Sequence, residues 1–336
     1  MGDTLKVTTW NVEWLDKLLD TIDSKKQKRI DAIKKEILDI DADVLCLLEG
    51  PKGEAKMEAF CTEILEDTYV VVKAIDNDYK IQGRQWIWFL VKPELINQAS
   101  LLPTKVYDEF SSASWDVHYW GDFETARHKH YRHPQVLILE WQNTRLELIG
   151  LHTKSKFVQS GQSHWNAGGE KRKAFIRDAI KARIKMTTEV ANVRDYINTK
   201  FEQVPNPAIM VMGDLNDGPG KEFFERQFIF FDLLSNLQGD VFEADRFLNH
   251  ALFDFEGNLR WSVHFKDFID PERDPHILLD HILFTQALVD GSLPIIIESK
   301  AGYVEHEIHD LINASNPKYA HTSDHKPVSV VVRKKS

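Results

Sequence analysis

Met212-Gly213-Asp214-Leu215-Asn216-Asp217-Gly218-Pro219 is the stretch on which the reading of this 336-residue chain turns. Asp, Asn, Gly and Pro are the residues turns prefer, so taken alone the stretch reads as a plain turn. What precedes it changes that. Ile209-Met210-Val211-Met212 is a run of the buried-strand type, and Asp-x-Asn at its end sets two polar groups on one side of an extended backbone. A carboxylate and an amide so placed can position a water and hold a phosphate oxygen together.

Other strand ends deliver polar groups where an apolar run stops. Asn11 leaves a strand in Thr9-Trp10-Asn11-Val12-Glu13, and Glu49 closes Val44-Leu45-Cys46-Leu47-Leu48. A lone Asn there is commonly a turn former. A carboxylate ending a buried strand is costly unless paired, solvated or bound to a cation, although a helix cap or surface turn is the plainer explanation. Thr322-Ser323-Asp324-His325-Lys326-Pro327-Val328 places an adjacent Asp–His pair before the last strand. Such a pair offers an oxygen ligand beside an imidazole able to hydrogen-bond a phosphoryl oxygen. Asp280, at the end of Ile277-Leu278-Leu279, is suited to orient that imidazole, whereas His281 beside it reads as incidental.

Around these ends the chain reads as an ordinary globular protein, with 43% hydrophobic and 28% charged residues. Its two cysteines, Cys46 and Cys61, lie in apolar surroundings and read as buried free thiols of a reducing compartment. Neither a signal-peptide pattern nor a membrane-length apolar run is read, so a cytoplasmic protein is expected. The net charge of −10 speaks against a uniformly basic coat, while basic residues gather at Arg127–His133 and Lys171–Lys185.

Strands are predicted at 5–10, 43–49, 69–75, 86–91, 135–141, 145–151, 208–213, 278–284 and 327–332. Amphipathic helices are predicted over 25–40, with Ile30, Ile33, Ile37 and Leu38 on one face, and over 170–201, with Phe175, Ile176, Ala179, Ile180 and Ile184. Two segments, 102–133 and 235–275, resist assignment and read as long loops or insertions. Strands spread from end to end with helices between them favour one domain, 1–336, of packed sheets flanked by helices.

Taken in order, these segments resemble the endonuclease/exonuclease/phosphatase superfamily, whose fold is also called DNase-I-like. The matching pieces are Thr9–Val12, Asp43–Glu49, Gly150-Leu151-His152-Thr153-Lys154-Ser155-Lys156, Gly213–Asn216, Leu279-Asp280-His281 and Ser323–Val328. The resemblance implies a four-layer α/β-sandwich, two packed mainly antiparallel or mixed β-sheets flanked by helices. It also implies roles: Glu49 as main metal ligand with Asn11 lining the metal site, and Asp324 as a further acid near the metal. Asp214 matches the residue that works on the attacking water, Asn216 the one that orients phosphate, His325 the catalytic histidine and Asp280 its orienting acid. His152 matches a second, phosphate-contacting histidine, and Arg132 an arginine that contacts substrate phosphate. Two departures stand out. Leu48 occupies the place where many relatives carry Gln, and Gly83–Trp88 lacks a Tyr that several nucleases have, which leaves Arg84 or Gln85 to take its phosphate contact.

The chemistry so implied is a phosphodiester hydrolysis with Mg²⁺, or Mn²⁺ in its place. A hard cation held by few carboxylates suits it, and no Cys/His cluster at zinc spacing is seen. Three features favour nucleic acid as the substrate: Lys154 and Lys156 after His152, the aromatics Trp115, Tyr119, Trp120 and Tyr131 among Arg127, Lys129 and Arg132, and the cations Lys171, Arg172, Lys173, Arg177, Lys181, Arg183 and Lys185 on one helix. Core packing or a partner-binding loop accounts for the second equally well, and a solvated helix face is the commoner explanation of the third. An inositol-phosphate phosphatase is the alternative of the same fold. A catalytically inactive binding module is the non-enzymatic one, and retention of all the residues above argues against it. No membrane-inserting element is read.

Overall fold

Strands that are apolar on both faces need cover on both faces, and the apolar runs at 44–48 and 209–212 are covered by a facing sheet on one side and a helix on the other. The computed structural model describes residues 2–20, 23–76, 82–119, 125–220, 222–228 and 232–335. In chain order its strands are β1 Thr4–Asn11, β2 Val44–Gly50, β3 Val70–Val71, β4 Trp86–Val91, β5 Ala99–Leu101, β6 Ser114–His118, β7 Thr125–Lys129 and β8 Gln135–Trp141. They continue with β9 Thr144–His152, β10 Ala208–Asp214, β11 Asn249–His250, β12 Val263–His264, β13 His276–Ile277, β14 Asp280–Phe284, β15 Ile295–Val304 and β16 Val328–Lys334.

One sheet runs β15-β16-β1-β2-β4-β3 and the other β11-β14-β10-β9-β8-β5. Each has a single parallel pair, β1–β2 and β9–β10, with every other neighbour antiparallel. Parallel neighbours demand a long crossover. The two predicted helices supply them: Ser24–Ile40 joins β1 to β2, and Gly169–Gln203 lies between β9 and β10. The first is started by Asp23, whose side chain accepts from Lys25 N and Lys26 N.

Side-chain alternation divides each strand between two cores. On β2, Val44, Cys46 and Leu48 face the interior between the sheets, where they join Leu148, Met210, Met212, Ile282 and Val330. Leu45 and Leu47 point outward to Ile30, Ile33 and Ile37. On the far side Ile209 and Val211 meet Met186, Val190, Val193 and Ile197 of the long helix. Helix, sheet, sheet and helix make the four layers expected. The thiols of Cys46 and Cys61 are free and buried, and burial pushes each up to about 12, so both are inert. Among the described residues no helix is long and apolar enough to cross a membrane.

The differences from expectation have local causes. The strand predicted at 69–75 shrinks to β3, and that at 278–284 begins only at Asp280. Strand β15 went unpredicted because its register shifts between Ile297 and Gly302, which breaks the alternation that marks a strand. The segment 102–133 contains the helix Thr104–Phe110 and the hairpin β6–β7. The predicted stripe of the long helix is only its first part, since Arg183 and Glu189 are buried on the same helix beside Met186 and Val190.

At Gly150 the two sheets approach closely. A Cβ there would meet Ile87 Cγ2 at 2.8 Å and Cys46 Sγ at 2.9 Å, both from the facing sheet. Overpacking of this kind costs about 1–3 kcal/mol. Gly150→Ala is therefore expected to lower the unfolding free energy by that amount, read as a lower urea midpoint at an unchanged m-value, and an unshifted midpoint would show the sheets free to part.

Candidate active site

Three neighbouring strand positions build one wall of the site. Asp214 on β10 pairs in register with His152 on β9 and with Asp280 on β14. The approach is close because residue 213 is glycine. It lies at φ +139°, and a Cβ would stand 1.9 Å from Leu151 O. The other sheet supplies Asn11 at the end of β1, Glu49 near the end of β2, and His325 just before β16. Asp280 opens its strand rather than closing the preceding apolar run, and this turns its carboxylate towards His325.

Asp214 is the hub. Its Oδ2 accepts from Asn11 Nδ2 at 3.0 Å and lies 3.3 Å from His152 Nε2 and 3.8 Å from His325 Nε2, while Oδ1 accepts from Asn216 N at 2.8 Å. Burial opposes its charge, but His325 and His152 outweigh burial and hold it below the usual carboxylate range. His325 Nδ1 donates to Asp280 Oδ2 at 2.7 Å. Burial again works against the charge, yet Asp280 and Asp214 push the imidazole up to about 10. His152 goes the other way: burial, then Arg132, lower it against the pull of Asp214. Among the described residues its Nδ1 is buried without a hydrogen-bond partner, as is Asp280 Oδ1.

Glu49 stands beside this hub. Its Oε2 accepts from Trp14 N at 2.9 Å and Gln85 Nε2 at 2.7 Å, and Arg132 Nη2 lies 3.8 Å from Oε1. Gln85 in turn accepts from Arg132 Nε and Nη2, and Arg132 Nη1 donates to Thr153 O at 3.1 Å. Near Glu49 gather acids the sequence reading did not single out. Burial, then the charge of Asp324, with Glu49 adding to it, pushes Glu13 up; burial, with Glu49, pushes Asp16 up against a hydrogen bond from Lys17 N. Carboxylates gathered on one partly buried wall, two of them raised by burial and by their acidic neighbours, suit a bound cation. Glu13, Trp14, Glu49, Gln85 and Asn216 all have φ between +43° and +61°. Backbone strain concentrated here, at five side-chain-bearing residues, is typical of sites shaped for function.

A cleft of about 480 Å³ opens beside Gln85, lined by Trp14, Asp16, Lys17, Lys52, Arg84, Gln85, Tyr131, Arg132, Lys154 and Ser155. Lys154 and Arg84 thus line this cleft. Lys156 does not. Its Nζ is held by Asp217, and by Glu222 and Glu225 at 2.9 and 3.1 Å, with Arg183 and Arg273 on the same acids. The substrate contact expected of Lys156 is corrected to a structural one, because these acids come from a distant part of the chain. Asp217, Glu222 and Glu225 are close enough to hold a metal ion, as are Asp214, Asp280 and His325. In the first group the ammonium of Lys156 already fills the gap, and in the second the His325–Asp280 hydrogen bond does.

The aromatic and basic segment also divides. Tyr131 lines the cleft, but Trp115 and Tyr119 pack near Lys185 and Lys181 of the long helix. Trp120 lies outside the described residues. Of the helical cations, Arg183 is buried in the acid cluster, whereas Lys171, Arg172, Lys173 and Arg177 are exposed. Gln85 stood in the sequence only as a substitute for a missing tyrosine. Glu13 was quoted within its motif without a role, and nothing local marked Asp16.

No protein-family model matches the chain, and no curated protein matches it in sequence. Solved structures share its fold. A humanized D. rerio TDP2 covers 99% of this chain and 100% of its own at TM-score 0.53 and 12% identity. An endonuclease/exonuclease/phosphatase from Bacteroides vulgatus covers 99% of both chains at 0.50 and 11%. Beta toxin from Staphylococcus aureus covers 98% and 100% at 0.52 and 15%. At such identities the likeness speaks for the fold, which is the DNase-I-like sandwich.

The raised His325 has a measurable signature. Its folded value lies above the unfolded value of about 6.5, so its charge contributes stability that is complete below pH 6.5 and is lost as pH rises towards about 10. In NMR titrations His325 is expected to remain imidazolium through pH 8, and Asp280→Asn to bring its titration down. An unmoved titration in that variant would remove Asp280 as the cause.

Proposed function

We propose that this chain is a divalent-metal-dependent phosphodiesterase, a nuclease that hydrolyses the DNA or RNA backbone with Mg²⁺ or Mn²⁺. One observation carries the reading. Glu13 and Asp16, both raised by burial and by the charge of Glu49, gather about Glu49 beside the Asp214–His152–His325–Asn11 constellation, and Asp16 lines a cleft with Lys17, Lys52, Arg84, Arg132 and Lys154. Glu49, Asn11 and Asp324 would hold the cation, with Glu13 and Asp16 adding negative potential. Once bound, such an ion neutralises phosphoryl charge and assists the leaving alkoxide.

The side chains supply the rest. Asp214 stays ionised and orients the attacking water. Asn11, Asn216 N and His152 fix the carboxylate so that one lone-pair direction remains for that water. His325, charged and anchored by Asp280, presents Nε2–H to a phosphoryl oxygen, where preorganised charge is worth most. Arg132, which lines the cleft, is a further phosphate donor, whereas His152 gives its one N–H to Asp214. Asn216 Nδ2, now 3.3 Å from Thr153 O, is free to exchange that long contact for a phosphate oxygen. The cleft cations hold neighbouring phosphates.

Side-by-side assays of plasmid DNA, single-stranded DNA, RNA and inositol phosphates, with Mg²⁺, Mn²⁺ or chelator, test this directly. Metal-dependent cleavage of nucleic acid is expected. Asp214→Asn and His325→Ala should each reduce it by at least about 10²-fold while preserving the fold by circular dichroism. Cleavage of inositol phosphates alone would replace the nuclease reading with the phosphatase one, and near-normal turnover in either variant would refute the site.

A further inference from the structure

One aromatic at the mouth of the cleft has no part in this chemistry. Trp14 sits at φ 61°, ψ 31°, a left-handed conformation that bulky residues rarely adopt and glycine takes freely. Its backbone N–H is engaged by Glu49, so the turn itself serves the carboxylate. The indole is not needed for that. It lies outside the packed core around Trp10 and Leu15, remains 43% exposed, and lines the basic cleft. Lys17 Nζ stands 3.3 Å from its ring centroid. Tyr131, 42% exposed, lines the same cleft with the guanidinium groups of Arg84 and Arg132 at 5.6 and 5.4 Å from its centroid.

Cations alone suffice to hold phosphate; flat, exposed rings among them suit a planar heteroaromatic group joined to that phosphate. A tryptophan kept where glycine would be unstrained, with its ring turned to solvent, indicates a use for the ring. We infer that Trp14 is a specificity-determining residue, a platform on which a nucleobase stacks beside the phosphate, so that the substrate class is a nucleoside phosphoester rather than a phosphorylated polyol. The inference rests on the site assigned under the phosphodiesterase reading, and its test is by binding rather than turnover.

The probes are thymidine 3′,5′-bisphosphate and 2-deoxyribose 3,5-bisphosphate, the same sugar phosphates without a base. Calorimetry on the wild type, Trp14→Gly and Trp14→Phe gives the ratio of the two affinities. The wild type is expected to prefer the base-bearing ligand. Trp14→Gly should lower that ratio about tenfold, the size of one stacking contact, and Trp14→Phe should retain most of it. The thermal midpoint of Trp14→Gly should equal or exceed that of the wild type, because the strained turn is relieved. Equal weakening of both ligands, no weakening, no wild-type preference for the base, or a midpoint lowered by more than about 5 °C would each overturn the inference. If the ratio falls as expected but the wild type cleaves no phosphodiester with any metal, the hydrolytic reading fails and the platform stands.

Discussion

Everything at this end of the molecule depends on one buried carboxylate that the two sheets satisfy jointly. Asp214 belongs to one sheet, yet its hydrogen bond from Asn11 Nδ2 and the nearby charge of His325 come from the other. A buried anion left unpaired would cost several kcal/mol or would take up a proton. It is tolerated here because donors converge from β1, β9 and the segment before β16. The same convergence locks the sheets in one relative position, so the geometry of the candidate site and the packing of the sandwich are a single constraint. Gly213 and Gly150 permit the approach of backbones and sheets that this constraint needs.

Two polar systems flank this hub and differ in kind. The Lys156–Asp217–Glu222–Glu225 cluster, closed by Arg183 and Arg273, ties the turn after Asn216 to the long helix. Its charges meet one another, and it acts as a structural clamp. The group around Glu49 is the opposite case. Glu13 and Asp16 are pushed up by burial and by neighbouring acids, with Arg29 3.7 Å from Glu13 as partial compensation. Charge left unbalanced on a strained, partly open wall is where a ligand has most to offer.

Much of this was legible in the sequence, for physical reasons that also set the limit. Strands covered on both faces read as unbroken apolar runs, so β2, β4, β8 and β10 were evident, and the crossover helices declared themselves by periodicity. Polar residues that end such runs, Asn11, Glu49 and Asp214, stood out because burial makes them costly. A bulge hid β15, since alternation fails where register shifts. The fate of Lys156 was hidden because its partners lie about sixty residues on in the chain and loop geometry chooses between them and solvent. The left-handed turn at Glu13 and Trp14 was hidden as well, since neither residue type announces a positive φ. What local chemistry dictates could be read, and what distant contacts decide could not.

The central claim is that a divalent cation sits against Glu49, with Asn11 and Asp324, rather than in either of the other acidic groups. Anomalous diffraction at the manganese edge, from crystals soaked in Mn²⁺, tests it most directly. The account predicts a peak at the Glu49 carboxylate that vanishes in Glu49→Ala. A peak confined to Asp217, Glu222 and Glu225, or one at Glu49 that survives that substitution, would contradict it.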